Sequence, residues 1–170
     1  MPRFLIIGPS WVGDMVLAQS LFKLIKQRHP DSRLDVLAPA WTHPLLARMP
    51  EVDEAVAAPF AHGRLDLGVR YRLGRQLRTR DYDRAIVLPN SLKSAIVPYI
   101  ARARVRTGFI GEWRYGLLND IRRLDKRKLP RKRKFPKPCL NLFPKARRAR
   151  LRPSRHRNRS RLLNRKQQRP

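Results

Sequence analysis

Short unbroken apolar runs alternate along this chain with longer stretches in which apolar residues recur every three or four positions. Residues 3–8 are apolar after the first and end in Gly8-Pro9, the pattern of a strand buried on both faces. Over 14–28, Met15, Ala18, Phe22 and Ile25 recur at helical spacing, with Leu17, Leu21 and Leu24 widening the stripe, until His29-Pro30-Asp31 stops it. The same patterns predict strands over 33–37, 54–58, 82–88 and 105–109 and a short helix over 44–49. They also predict helices over 65–80 and 91–101, the second with Ser91 as N-cap. Strand and helix in turn, with Pro- or Gly-bearing loops at strand ends, predict an α/β fold built on a single Rossmann-like doubly wound parallel sheet. Right-handed crossovers then bring the C-terminal ends of all strands to one edge, where such folds hold ligands.

The pattern does not last to the end. Residues 1–130 hold 23 basic and 12 acidic residues, a balance of +11, whereas residues 131–170 hold 17 basic residues and no acidic one. The apolar residues of that last segment have no period of two or 3.6, and five prolines lie among them. Such a segment cannot bury enough surface to offset the ordering of its backbone, so 131–170 is expected to be a disordered basic tail. The domain division expected is therefore 1–129, a folded domain, and 130–170, the tail. The single cysteine, Cys139, excludes an intramolecular disulfide and a cysteine-built metal site. No apolar run is long enough for a membrane span, and 4–7 is too short for a signal-peptide core, so a cytoplasmic location is expected.

Candidate chemistry concentrates in the first loop, Gly8-Pro9-Ser10-Trp11-Val12-Gly13-Asp14-Met15. Its glycines are spaced as in a phosphate-cradling loop, but Asp14 stands where that motif needs a lysine, and a carboxylate there repels phosphate. The dinucleotide spacing G-x-G-x-x-G is also missing. Asp14 lies between a strand end and a helix start, facing the crevice of such a fold. Two roles are open to it: a helix N-cap, or a general base whose proton affinity is raised by apolar Trp11, Val12 and Met15. Asn90, Ser91 and Lys93 follow the fourth strand on the same edge, where they could grip a sugar or an anion or simply cap and solvate a helix. Ser10, Trp11 and His62 are further loop candidates for sugar contact. Arg64, Arg70, Arg72, Arg75, Arg78 and Arg80 read mainly as a solvated helix face.

Several ordered motifs carry a resemblance. G-P-S-W-V-G-D-M, L-A-P-A-W with R-M-P-E-V, Y-D-R-A-I-V-L-P-N-S-L-K-S-A, and R-T-G-F with W-R-Y-G-L-L-N-D follow one another with matching spacing over residues 1–129. In this stretch the chain resembles the N-terminal half of the ADP-heptose:lipopolysaccharide heptosyltransferases II of glycosyltransferase family 9. The resemblance implies half of a GT-B architecture, two Rossmann-like domains facing each other across a cleft. It implies inverting transfer of heptose from ADP-L-glycero-D-manno-heptose to the lipopolysaccharide inner core (heptosyl-Kdo-lipid A), with no metal and no cofactor. The family's base matches Asp14, which shifts the balance from cap to base. Acceptor contacts are expected from Ser10, Trp11, Asn90, Ser91 and Lys93, and a basic cleft suits the acidic acceptor. No task follows for Arg114.

After residue 126 the likeness fades into acid-free, Arg-, Lys- and Pro-rich sequence, as a frameshifted reading of the same gene would give. A truncated form of this kind lacks the donor-binding domain. ADP-heptose is then a partner only if that domain is supplied, and the chain alone is expected to be inactive. The rival expectation, from a pI near 11.8 and runs such as Arg131-Lys132-Arg133-Lys134, is a protein that binds nucleic acid or an anionic membrane. Without a reader fold or interleaved aromatics, nucleic acid is expected to bind only non-specifically. A peripheral position at the inner face of the inner membrane suits either reading.

Overall fold

The computed structural model describes residues 1–60 and 65–123; His62, Arg64 and the expectation of disorder for 131–170 lie outside them. The strands are β1 (Arg3–Ile7), β2 (Arg33–Ala38), β3 (Glu54–Ala57), β4 (Arg84–Val87), β5 (Val105–Phe109) and β6 (Asp120–Arg122). They form one sheet in the order β3-β2-β1-β4-β5-β6, parallel at every pairing. Ile6 at its centre lies beside Val36 on one side and Ile86 on the other.

Alternation along β1 divides the core in two. Phe4 and Ile6 pack on one face with Met15, Ala18, Phe22 and Ile25 of α1 (Val12–Arg28). Leu5 and Ile7 pack on the other with Leu77 of α3 (Leu67–Arg78) and Val97 of α4 (Ile96–Ile100). Both faces of the central strands are covered, which is why those strands read as unbroken apolar runs. The doubly wound sheet expected from the sequence is present. A short α2 (His43–Leu46) follows β2, preceded by a 3-10 turn, Ala40–Thr42.

Four local expectations are corrected. Leu17 is half exposed, because two residues beyond Met15 is about 200° around a helix, away from the buried face. The helix expected over 91–101 is a 3-10 turn, Leu92–Ala95, followed by α4. A continuous helix would have needed an N–H from Pro98 to the Ser94 carbonyl, whereas in α4 Pro98 sits in the first turn, where no such bond is made. Ser91 occupies the cap position but its side chain caps nothing; its carbonyl instead accepts from the backbone N and the hydroxyl of Ser94, at 3.2 and 2.6 Å. Strand β6 was not foreseen, since three residues are too few to show a period.

Across the strands runs a charge cluster. Fully buried Asp35 of β2 accepts from Arg33 Nε (3.1 Å), Arg80 Nη1 (2.9 Å) and Tyr82 OH (2.6 Å). Glu54 bridges the same two arginines at 2.6 and 2.7 Å. Every polar atom of the Asp35 carboxylate has a partner, so a charge can be tolerated in the sheet.

Candidate functional site

β1 leads to a helix on one face of the sheet and β4 to helices on the other, so their C-terminal ends diverge. At this switch point lies a crevice of about 300 Å³. Gly8 and Ser10 line it from the loop after β1, Pro39 and Trp41 from the loop after β2, and Phe60 from the chain after β3. Ser91, Lys93 and Ser94 line it from the segment after β4, and Arg70 from α3. Gly8 permits the loop to pass close to β2, for a Cβ there would lie 3.3 Å from both Ala38 Cβ and the Leu37 carbonyl oxygen.

Asp14 is the third residue of α1, with Trp11 in the cap position, so it is not the N-cap. Its side chain is half-buried and has no hydrogen-bond or ion-pair partner among the described residues. A negative charge in the first turn is favoured by the helix dipole. The lining of the crevice reaches Ser10, four residues ahead, and does not include Asp14 itself. The apolar enclosure expected around this carboxylate is not formed: Trp11 and Val12 face outward, at 72% and 50% exposure, and only Met15 is buried.

Of the remaining candidates, the structure brings Ser10, Ser91 and Lys93 together in the crevice, but Trp11 and Asn90 are not part of its lining. Asn90 is exposed and its Oδ1 accepts from Arg114 Nη2 at 3.2 Å.

Three residues gain places that sequence reasoning had not given them. Trp41 lines the crevice and donates from Nε1 to the Ser10 carbonyl at 3.2 Å, tying two loops together. Its position in the loop that follows a predicted strand, on the same edge as Ser10, was the available signal. Arg70 is not on a solvated face but 5% exposed. It donates from Nε to the Leu65 carbonyl (2.5 Å) and from Nη1 to the Lys93 carbonyl (3.1 Å), with the Phe60 ring 3.8 Å from its guanidinium. Burial pulls its pKa down, against the opposing charge of Asp66. Arg114, 2% exposed, bonds the Pro89 carbonyl at 2.7 Å and the Phe109 carbonyl as well as Asn90, so it fastens the loop after β4 to the loop after β5.

Residues 70–134 match the family described as glycosyltransferase family 9 (heptosyltransferase). Lipopolysaccharide heptosyltransferase 2 of Salmonella typhimurium is 59% identical over 124 residues, covering 73% of this chain and 36% of that protein. Its Escherichia coli counterpart is 57% identical over 128 residues, covering 75% and 37%. The solved structure of E. coli ADP-heptose LPS heptosyltransferase II superposes with a TM-score of 0.69 at 53% identity, over 76% of this chain and 37% of that one. This chain therefore spans little more than a third of the length of the curated relatives it matches. Over the matched stretch, with its Rossmann-like parallel sheet and its crevice at the switch point, the chain belongs to glycosyltransferase family 9, the heptosyltransferases.

Proposed function

We propose that residues 1–129 are the acceptor-side domain of an inverting ADP-heptose:lipopolysaccharide heptosyltransferase, with 130–170 a separate basic segment. The carrying observation is the Asp14 carboxylate, half-buried and without a partner among the described residues, at the ligand edge of the sheet and four residues beyond a crevice-lining serine. A carboxylate already engaged in a cap or salt bridge would be a poor proton acceptor; this one is available.

In the proposed reaction Asp14 takes the proton of an acceptor heptose hydroxyl as its oxygen attacks the anomeric carbon of ADP-heptose. ADP departs from the opposite face, and the configuration inverts. Ser10, Ser91 and Lys93 hold the acceptor in the crevice, while Trp11 and Asn90 contact it from outside. Arg70 and Lys93 give the crevice the positive sign that an acceptor with acidic sugars and phosphates requires. Such an acceptor is lipid-anchored, so the domain works against the inner face of the inner membrane; none of its described helices is long and apolar enough to cross one. Donor orientation depends on the part of the relatives' length that this chain does not span, so transfer requires that part as well as the acceptor-side domain.

The test is a chimera joining residues 1–123 to the remainder of the E. coli heptosyltransferase 2. Asp14→Asn should lower kcat by about 100-fold or more, the size of a general-base contribution, with acceptor affinity unchanged. Retention of transfer within a few-fold of the parent would remove Asp14 from the reaction.

A further inference from the structure

A second cleft lies at the opposite edge of the sheet, where α3 and α4 end and β5 begins. Its volume is about 650 Å³, and its lining includes Arg75, Arg78, Arg102, Arg104 and Arg106 together with Tyr71 and Tyr99. The fold builds it. Gly74 lets α3 close on α4, since a Cβ there would sit 2.7 Å from Ile100 Cβ, and Arg102 turns the chain toward β5 with a φ of 55°.

Among the described residues little of this positive charge is neutralised. Arg104 has one carboxylate, Asp83, at 3.6 Å and is 80% exposed. Arg106 is anchored by the Leu117 and Ala103 carbonyls, both at 2.7 Å, with its guanidinium 5.5 Å from the Tyr99 ring. Arg75 lies 6.0 Å from the Tyr71 ring. The Arg75, Arg78 and Arg102 guanidiniums have no ion-pair or hydrogen-bond partner among the described residues. Complementing the helix dipole explains Arg75 and Arg78, in the last turn of α3. It does not explain three further arginines outside the helices, or two half-exposed tyrosines in the same cleft.

Guanidinium forks select phosphate oxygens, tyrosine faces stack on bases, and the cleft has the volume of a small-ligand site. We propose that this cleft binds a small oligophosphate of the nucleoside-polyphosphate class. The site is distinct from the crevice, for no residue lines both.

The test uses the full chain and its thermal midpoint, because a ligand held by the folded cleft raises Tm, whereas attraction to charge that unfolding leaves unchanged does not. ATP should raise the midpoint by a few degrees, at lower concentration than inorganic tripolyphosphate. Arg75→Gln/Arg102→Gln should raise the ATP concentration needed by about tenfold. Lys23→Gln/Arg48→Gln, with the same loss of charge at exposed positions elsewhere, should leave it unchanged. Tyr71→Leu/Tyr99→Leu should erase the advantage of ATP over tripolyphosphate. An absent ATP effect, or equal losses in the two charge variants, would overturn the site. Equal responses to ATP and tripolyphosphate would overturn the nucleotide class. A response confined to phosphatidylglycerol vesicles would overturn the small-ligand proposal in favour of a bilayer contact.

Discussion

The Asp35 cluster allows the worth of one buried hydroxyl to be separated from that of the charge it serves. Tyr82→Phe removes the donor 2.6 Å from Asp35 Oδ2, but the same oxygen keeps Arg80 Nη1 at 2.9 Å, and Oδ1 keeps Arg33. No charge is orphaned, so the expected cost is that of one charge-assisted hydrogen bond, about 1.5 kcal/mol. Asp35→Ala takes the shared acceptor away, leaving the Tyr82 hydroxyl buried without a partner while Arg33 and Arg80 fall back on Glu54. Because both arginines keep that second carboxylate, the expected cost lies at the lower end for a broken buried pair, about 3 kcal/mol. In the double variant, Tyr82→Phe should cost little more, giving a coupling of about 1–2 kcal/mol. Urea unfolding at neutral pH measures all three, and the tyrosine remains a donor there because burial and the Asp35 carboxylate push its pKa up. Strictly additive losses, or a Tyr82→Phe loss as large as that of Asp35→Ala, would refute this account of the cluster.

Glycine contrasts and acid titration supply two further predictions. Gly74→Ala gains helix propensity but drives a methyl into Ile100, so a net loss of about 1 kcal/mol is expected. Gly68→Ala in the same helix meets nothing within 4 Å and should stabilise by about 0.5 kcal/mol; urea midpoints of the two variants should move in opposite directions. The Arg80 hydrogen bond holds the Glu54 carboxyl below its ordinary range, with burial opposing. Its stabilisation is therefore complete above the unfolded-state pKa of about 4.3 and is lost as pH falls through the lower folded value. Glu54→Gln should be less stable at neutral pH and show a shallower fall in urea midpoint on acidification.

The sequence by itself determined strands β1 to β5, the doubly wound plan and the loop bearing Asp14. Burial on both faces of β1 and β4 leaves unbroken apolar runs, and one-sided burial leaves the 15-18-22-25 stripe of α1, so these elements write their environment locally. What tertiary structure alone decided was the fate of long polar side chains. Arg70 and Arg72 are neighbours on one basic helix, yet the first is buried between two carbonyls and Phe60 and the second is exposed, because only the first faces the crevice segments that pack over it. Arg75 and Arg106, far apart in the chain, share a cleft because Gly74 allows two helices to touch. A guanidinium can be solvated, buried or paired at similar local cost, so its partners are set by which distant backbone arrives beside it.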